Sequence, residues 1–258
     1  FTFSANKNEI VELVKDYFHP ETGKTYNVDK LELKTDEGRG FGKAKFILKE
    51  GGTLGDLYTH ADLKRDINGN VLIDDSGNVT AIDNAGDIKL GSVLPKANLA
   101  WNNSFSYKGI NAGFLLTARL GGIVYSATQA YLDLYGVSET SAAARDAGGV
   151  WINGRSRVNP QSFYEVVASQ SGLPTYYTYS ATNLRLQEAH IGYTVPRRWL
   201  GNVCDINVSL VGRNLWMIYC KAPFDPEAVA TTNNYYQGID YFMLPSTRNI
   251  GFNIKINF

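Results

Sequence analysis

Cysteine, histidine, net charge and long apolar runs are all scarce in this sequence. Two cysteines in 258 residues are too few for a disulfide scaffold. Lys+Arg and Asp+Glu stand at 25 each, for a net charge of zero. That leaves no electrostatic footprint for nucleic acid, and none for an acidic partner. No apolar run approaches ~18 residues, which excludes transmembrane helices. A transmembrane β-barrel stays possible, because its strands alternate and average out to mild hydrophilicity. An initiator Met, a basic n-region and an apolar h-region are also missing, so no signal peptide is expected. The opening Phe1-Thr2-Phe3-Ser4 reads as the middle of a strand, which suggests a mature fragment or a piece of something longer.

What is present is length for one large all-β domain or two ordinary ones, with 25 Gly, 16 Tyr and only 19% charged residues. Helical periodicity is rare and two-residue alternation is strong. From Ala97 to Tyr107 the odd positions are Ala97, Leu99, Trp101, Asn103, Phe105 and Tyr107, while the even ones are Asn, Ser or Ala. From Gly109 to Leu120 the even, apolar set is Ile110, Ala112, Phe114, Leu116, Ala118 and Leu120, opposite Gly109, Asn111, Gly113, Leu115, Thr117 and Arg119. Lys108-Gly109 between them signals a tight turn, so the two segments predict a hairpin of long strands. Asp205–Tyr219 repeats the pattern, with Ile206, Val208, Leu210, Trp216 and Ile218 on one face and Asp205, Asn207, Ser209 and Arg213 on the other. At the end, Ile250, Phe252, Ile254, Ile256 and Phe258 alternate with Asn249, Gly251, Asn253, Lys255 and Asn257. One strand, Asn183–Val195, breaks phase: Leu184 and Leu186 are even, but Ala189, Ile191, Tyr193 and Val195 are odd. Either a β-bulge near Gln187-Glu188 restores one apolar face, or the first half lies above a membrane.

Strands of 11 or more residues exceed the ~5–6 usual in soluble proteins and match the ~9–11 that a spanning barrel strand needs. The second face is small and polar, as suits a wet lumen. Aromatic residues gather near strand ends (Phe105, Tyr107, Tyr193, Trp216, Tyr219, Phe258), as in an interfacial girdle. A soluble β-sandwich is the competing architecture. In outer-membrane barrels short turns are periplasmic and long loops extracellular. Lys108-Gly109 and Pro196–Asn202 then face the periplasm, with loops at roughly 50–96, 121–182 and 221–246 outside. A short helix is expected at Phe163–Ser169.

Chemistry-bearing motifs are few. His19, His60 and His190 lack any short metal spacing. Asp66-Ile-Asn68-Gly-Asn70 opens like an EF-hand loop, but Val71 occupies the sixth position where Gly is needed and no Glu follows at the twelfth. It reads as an Asn-Gly turn or a loose calcium site. Gly38-Arg-Gly40-Phe-Gly42-Lys43 lacks P-loop spacing and reads as a glycine turn. No nucleophile elbow occurs, and no cofactor is expected. Cys204 and Cys220 fall at opposite ends of one strand, about 50 Å apart at ~3.3 Å per residue, far beyond the ~7 Å a disulfide allows. Two free thiols are expected.

Several stretches, taken in order, resemble the SusC-like branch of TonB-dependent outer-membrane transporters of Bacteroidota, to which RagA-type receptors also belong. They are Gly55-Asp-Leu-Tyr58, Ala144-Arg-Asp-Ala-Gly-Gly149, Ala181-Thr-Asn-Leu-Arg-Leu-Gln-Glu188, Gly192-Tyr-Thr-Val-Pro196, Val211-Gly-Arg-Asn-Leu-Trp216, Ala222-Pro-Phe-Asp-Pro226, Gln237-Gly-Ile-Asp240, Pro245-Ser-Thr-Arg248 and the Gly251–Phe258 ending. Residues 1–50 fit more loosely, through Asn6-Lys-Asn-Glu-Ile10. The resemblance implies an all-β chain forming the C-terminal part of a 22-stranded antiparallel barrel with long extracellular loops, here about eight to ten strands, with the plug and early strands lying outside the chain. It implies active nutrient import across the outer membrane of a Gram-negative bacterium, with an oligosaccharide or a peptide as substrate. It also implies a SusD-like surface lipoprotein as lid, TonB-ExbB-ExbD acting through the plug, the rest of the same barrel and membrane lipid as partners, and no enzyme activity. Ile250, Phe252, Ile254, Ile256 and Phe258 would then be the barrel-assembly signal, which also closes the barrel. The loop residues Trp151, Arg155, Arg157, Tyr176, Tyr177, Tyr179, Tyr235, Tyr236, Asp240 and Tyr241 would serve ligand binding, lid contact or loop packing. Two readings from other classes stand beside this one: a soluble β-rich carbohydrate-binding or adhesion module, and a surface glycoside hydrolase.

Overall fold

The alternating segments become two 11-residue strands, Ala97–Tyr107 and Ile110–Leu120. Lys108 and Gly109 join them with φ of 47° and 86°, the mirror-image turn whose twist matches that of paired strands. In the computed structural model, which describes residues 1–33, 43–201, 203–231 and 237–257, this hairpin supplies the second and third strands of one six-stranded sheet. Its order is Thr2–Ala5, Ala97–Tyr107, Ile110–Leu120, Asn183–Val195, Asp205–Cys220 and Asn249–Asn257. Every pairing in it is antiparallel. The sequence-based expectation was about eight to ten such strands. Six form because the chain leaves the sheet at Ala5 and returns at Ala97, its paired neighbour. The first excursion therefore runs over 6–96 rather than 50–96. Within it, Val14–His19 and Lys24–Val28 pair with each other as a hairpin instead of adding to the sheet.

The phase break in Asn183–Val195 is a bulge. Leu115 faces Glu188 and Leu116 faces Leu186, leaving Gln187 as the extra residue. Its neighbour carries a matching irregularity at Asn214 and Leu215, where Asn214 takes φ 51°. Gln187 Nε2 donates to Asn214 Oδ1 at 2.9 Å across the two distortions. Both halves of the strand thus present apolar residues to the same face.

The register sorts side chains into rows. Phe105, Ala112, Ile191, Leu210 and Phe252 line up across five strands, and so do Ser106, Asn111, Gly192, Ser209 and Asn253 one position over. Since successive residues point to opposite faces, one face is apolar and the other polar. The apolar face is uncovered: Leu210, Trp216 and Phe252 are 54%, 61% and 78% exposed. A sandwich would bury this face under a second sheet, and nothing among the described residues does so. The polar face bonds to itself. Thr194 Oγ1 accepts from Asn111 Nδ2 at 3.0 Å and Asn207 Nδ2 at 2.8 Å, and Arg213 pairs with Glu188 at 3.0 Å.

Burial is concentrated in the excursions. The hydrophobic core joins Phe46, Leu57, Leu63, Val93, Tyr125, Phe163, Val167, Leu173, Tyr177 and Ile239, and no strand of the main sheet contributes to it. All three long excursions (6–96, 121–182 and 221–248) leave from one end of the sheet, and the connections at 108–109 and 196–204 lie at the other. The helix expected at Phe163–Ser169 is α3, Pro160–Val167. Two further helices, α1 (Ala127–Leu134) and α2 (Glu139–Asp146), are additions to that expectation. Cys204 and Cys220 are free and sit at opposite ends of the 16-residue strand Asp205–Cys220.

Candidate functional site

The loop body is built by capping and by buried polar pairs. Ser126 ends the strand Ile123–Ser126 and caps α1, its hydroxyl accepting from Gln129 N at 3.1 Å and donating to Asp240 Oδ2 at 2.5 Å. Asn159 caps α3, with Pro160 at the first helical position, where its missing N–H costs nothing. Ser138 caps α2 and also bonds one oxygen of Asp133, while Tyr177 Oη donates to the other at 2.9 Å. Burial, then the nearby Asp133 charge, pushes the Tyr177 hydroxyl far above its ordinary value. The same two causes bring Tyr179 up to about 12. The excursions are locked together by polar contacts as well. Asn153 clamps the backbone of Val71 from both sides, at 3.0 and 2.9 Å, and Thr175 Oγ1 donates to Asp62 at 3.1 Å.

The loop candidates separate into two settings. Trp151 and Arg155 are exposed on the hairpin Val150–Ile152/Ser156–Val158, whose Ile152 and Val158 are buried in the core, and the Arg157 guanidinium stacks 4.4 Å from the centre of the Trp151 ring. Tyr177 and Asp240 are 2% and 5% exposed, so they hold the loop core together and offer no surface to a ligand. Tyr176 is half-buried, edge-on to Phe163. Tyr241 is half-buried against the rings of Tyr131 and Phe242. Tyr235, Tyr236 and Phe258 lie outside the described residues, as do Gly38, Gly40 and Gly42. Ile250, Phe252, Ile254 and Ile256 lie on the uncovered apolar face of the Asn249–Asn257 strand.

A second constellation, which the sequence reading did not single out, forms where the loop body meets the polar face. Arg185 forks onto Asp225, at 2.7 and 3.3 Å, and reaches Glu227 at 3.4 Å. Asn183 Nδ2 also donates to Glu227 at 3.1 Å. Arg119 Nη2 donates to the Val93 carbonyl at 2.8 Å, and its buried Nε has no hydrogen-bond partner. Beside it a recess of about 300 Å³ is lined by Ser4, Asn98, Thr117, Arg119, Gln187 and Glu227. Arg185 and Asp225 belong to the quoted stretches Ala181–Glu188 and Ala222–Pro226. The signal was present, but a sequence does not display which stretches meet.

Among the described residues no three or more His, Cys, Asp and Glu side chains are grouped so as to hold a metal ion. His60 lies 3.3 Å from Asp87 and 3.7 Å from Glu32, but Lys30 and Lys45 already pair with those carboxylates. Asp66 uses one oxygen to accept the N–H groups of Asn68 and Asn70. The Asn70 side chain holds the Asp66 carboxyl below its ordinary value, and the segment forms the Asn-Gly turn. Eight residues on, Asp74, Ser76 and Asn78 repeat the same bonds, a tandem Asp-x-x-Gly-Asn-Val pattern that was readable and missed.

No family model matches the chain. It is 24% identical to TonB-dependent receptor P3 of Formosa agariphila over 282 residues, covering 99% of this chain and 26% of that protein. Solved structures of the RagAB peptide importer share its fold. The open-open state matches with a TM-score of 0.65 and the closed-closed state with 0.61, each at 16% identity over 99% of this chain and 26% of theirs. The chain spans about a quarter of the length of these relatives.

Proposed function

We propose that this chain, a portion of a SusC-like TonB-dependent receptor of the Gram-negative outer membrane, supplies part of the wall and extracellular loops of an active nutrient importer. The observation that carries the reading is the single sheet with two unlike faces. Its uncovered apolar rows suit lipid, its hydrogen-bonded Asn, Ser and Thr rows suit a wet lumen, and every long excursion leaves from one end. The relatives are receptors and importers, and the chain is not an enzyme. By the same reading it is the C-terminal part of the barrel, and the plug and the remaining strands belong to the rest of the protein. TonB-ExbB-ExbD acts through that plug, and a SusD-like lipoprotein closes over the loops.

The substrate we assign is an oligosaccharide. Trp151, exposed and backed by Arg157, and Tyr135, 74% exposed at the end of α1, offer ring faces. The amides and hydroxyls of the polar face give neutral hydrogen bonding along the path. A peptide is the second reading, favoured by the structural likeness to a transporter described as a peptide importer. Native mass spectrometry of the full-length receptor, purified in mild detergent with its companion lipoprotein and offered glycan and peptide pools, decides between them. Retained oligosaccharide supports the first assignment, and retained peptide replaces it with the second. A full-length protein that stays soluble and monomeric without detergent would overturn the transporter reading altogether.

A further inference from the structure

We propose that the short-turn end of the sheet carries a headgroup site for an anionic phospholipid, with Lys108 and Arg198 as the phosphate-binding cations. The inference rests on the transporter reading, which puts this end at the periplasmic leaflet. Charge is unevenly placed in a chain of zero net charge. Within 106–111, 193–207 and 253–257 the charged residues are Lys108, Arg197, Arg198, Lys255 and a single carboxylate, Asp205. Arg197 is neutralised by Asp205 at 3.0 Å, and Lys255 stands in the polar row beside Asn207. Lys108 and Arg198 are exposed and have no ion-pair partner among the described residues.

The two free cations belong to neighbouring hairpins. Ile110 pairs with Tyr193, and Thr194 N donates to the Gly109 carbonyl at 2.7 Å, so the turns stand about two strand spacings apart, roughly 10 Å. The Lys108 ammonium lies 5.2 Å from the centre of the Tyr107 ring, and Tyr107 belongs to the apolar row with Ile110, Tyr193, Val208 and Ile254. The charge is therefore presented on the lipid side of the sheet. Exposed Trp199 and Tyr107, at 62% and 69%, are the amphipathic rings that settle at headgroup level. A phosphate diester between Lys108 and Arg198 would accept from both. A headgroup with its own ammonium brings a third cation to that spot, so a glycerol headgroup fits better than an ethanolamine one.

The test uses the full-length receptor in nanodiscs of phosphatidylethanolamine doped with phosphatidylglycerol, followed by native mass spectrometry of the lipids retained on release. Each cation near an anionic headgroup is worth about a five-fold preference. Wild type is expected to retain phosphatidylglycerol above its share in the disc. The Lys108→Gln, Arg198→Gln double variant should lose about 25-fold of that enrichment, with the heat-resistant folded band unchanged. Retention in proportion to disc composition by wild type, or unchanged enrichment in the double variant, overturns the headgroup site while leaving the barrel intact. A protein with no folded band and no detergent requirement would instead overturn the transporter reading beneath it.

Discussion

Arg185 Nη2 lies 2.7 Å from Asp225 Oδ1, and the two side chains, 7% and 9% exposed, join the sheet to the third excursion across 40 residues of chain. Removing one member of a buried pair strands the other charge, at a cost of about 3–5 kcal/mol. Arg185→Ala and Asp225→Ala are each expected to loosen the 221–248 excursion by that order. The double variant should cost well under the sum. Limited proteolysis of the folded full-length receptor across this double-mutant cycle gives the coupling. Additive losses would mean that the pair does not act as a unit.

The same pair gives a pH dependence. Burial pushes the Asp225 carboxyl up, but hydrogen bonds led by the one from Arg185 outweigh it, and the group ends below its ordinary value. A depressed folded pKa contributes stability that is complete above the unfolded value of ~3.9 and is lost as pH falls through the folded value. Protease resistance of this excursion should therefore decline as pH drops below about 4 and hold steady above it. Asp225→Asn should be weaker at neutral pH and flat across that window. Parallel profiles for the two proteins would assign the acid sensitivity to another group.

Phe252 and Asn253 are neighbours on the Asn249–Asn257 strand, opposite Leu210 and Ser209 respectively. Phe252 is 78% exposed on the apolar face. Phe252→Asp is expected to disrupt assembly, at up to the ~2–4 kcal/mol known for Lys or Arg near the bilayer midplane. Asn253→Asp, on the polar face, should be tolerated. The heat-resistant folded band in electrophoresis reads both, and equal effects would reverse the assignment of faces.

The sheet was legible because burial on one side of a strand writes itself as strict alternation. The Lys108-Gly109 turn, both faces of Ile110–Leu120 and the Asp205 strand stand where the periodicity puts them. Even the defect at Gln187 was visible as a phase break, although choosing between a bulge and a segment above the membrane required the register against Leu115 and Leu116. The loop body was not legible. Its three helices are eight residues each, about two turns, too short for a 3.6-residue period to emerge. Tyr177 and Asp240 resembled surface groups because loops usually run over a surface, whereas here three excursions share a core. The Arg185–Asp225 contact is long-range, and nothing local in either stretch announces the other.

Gly109 and Gly201 both occupy turns at the same end of the sheet with positive φ, 86° and 64°, so an alanine at either carries a left-handed backbone strain of about 1–2 kcal/mol. Their surroundings differ. A Cβ at Gly109 would fall 2.9 Å from the Thr194 carbonyl oxygen and 3.1 Å from the Tyr193 ring, while one at Gly201 meets nothing within 4 Å. The carbonyl is backbone and also accepts no relief from a rotamer change, so the clash must move a strand. Gly109→Ala is therefore expected to lower the folded yield of the full-length receptor further than Gly201→Ala. Urea-induced unfolding in detergent should show the same order. Equal losses would reduce the Gly109 requirement to backbone strain alone and would mean that the hairpin stands farther from the Asn183–Val195 strand than its 2.7 Å bond from Thr194 N to Gly109 O indicates.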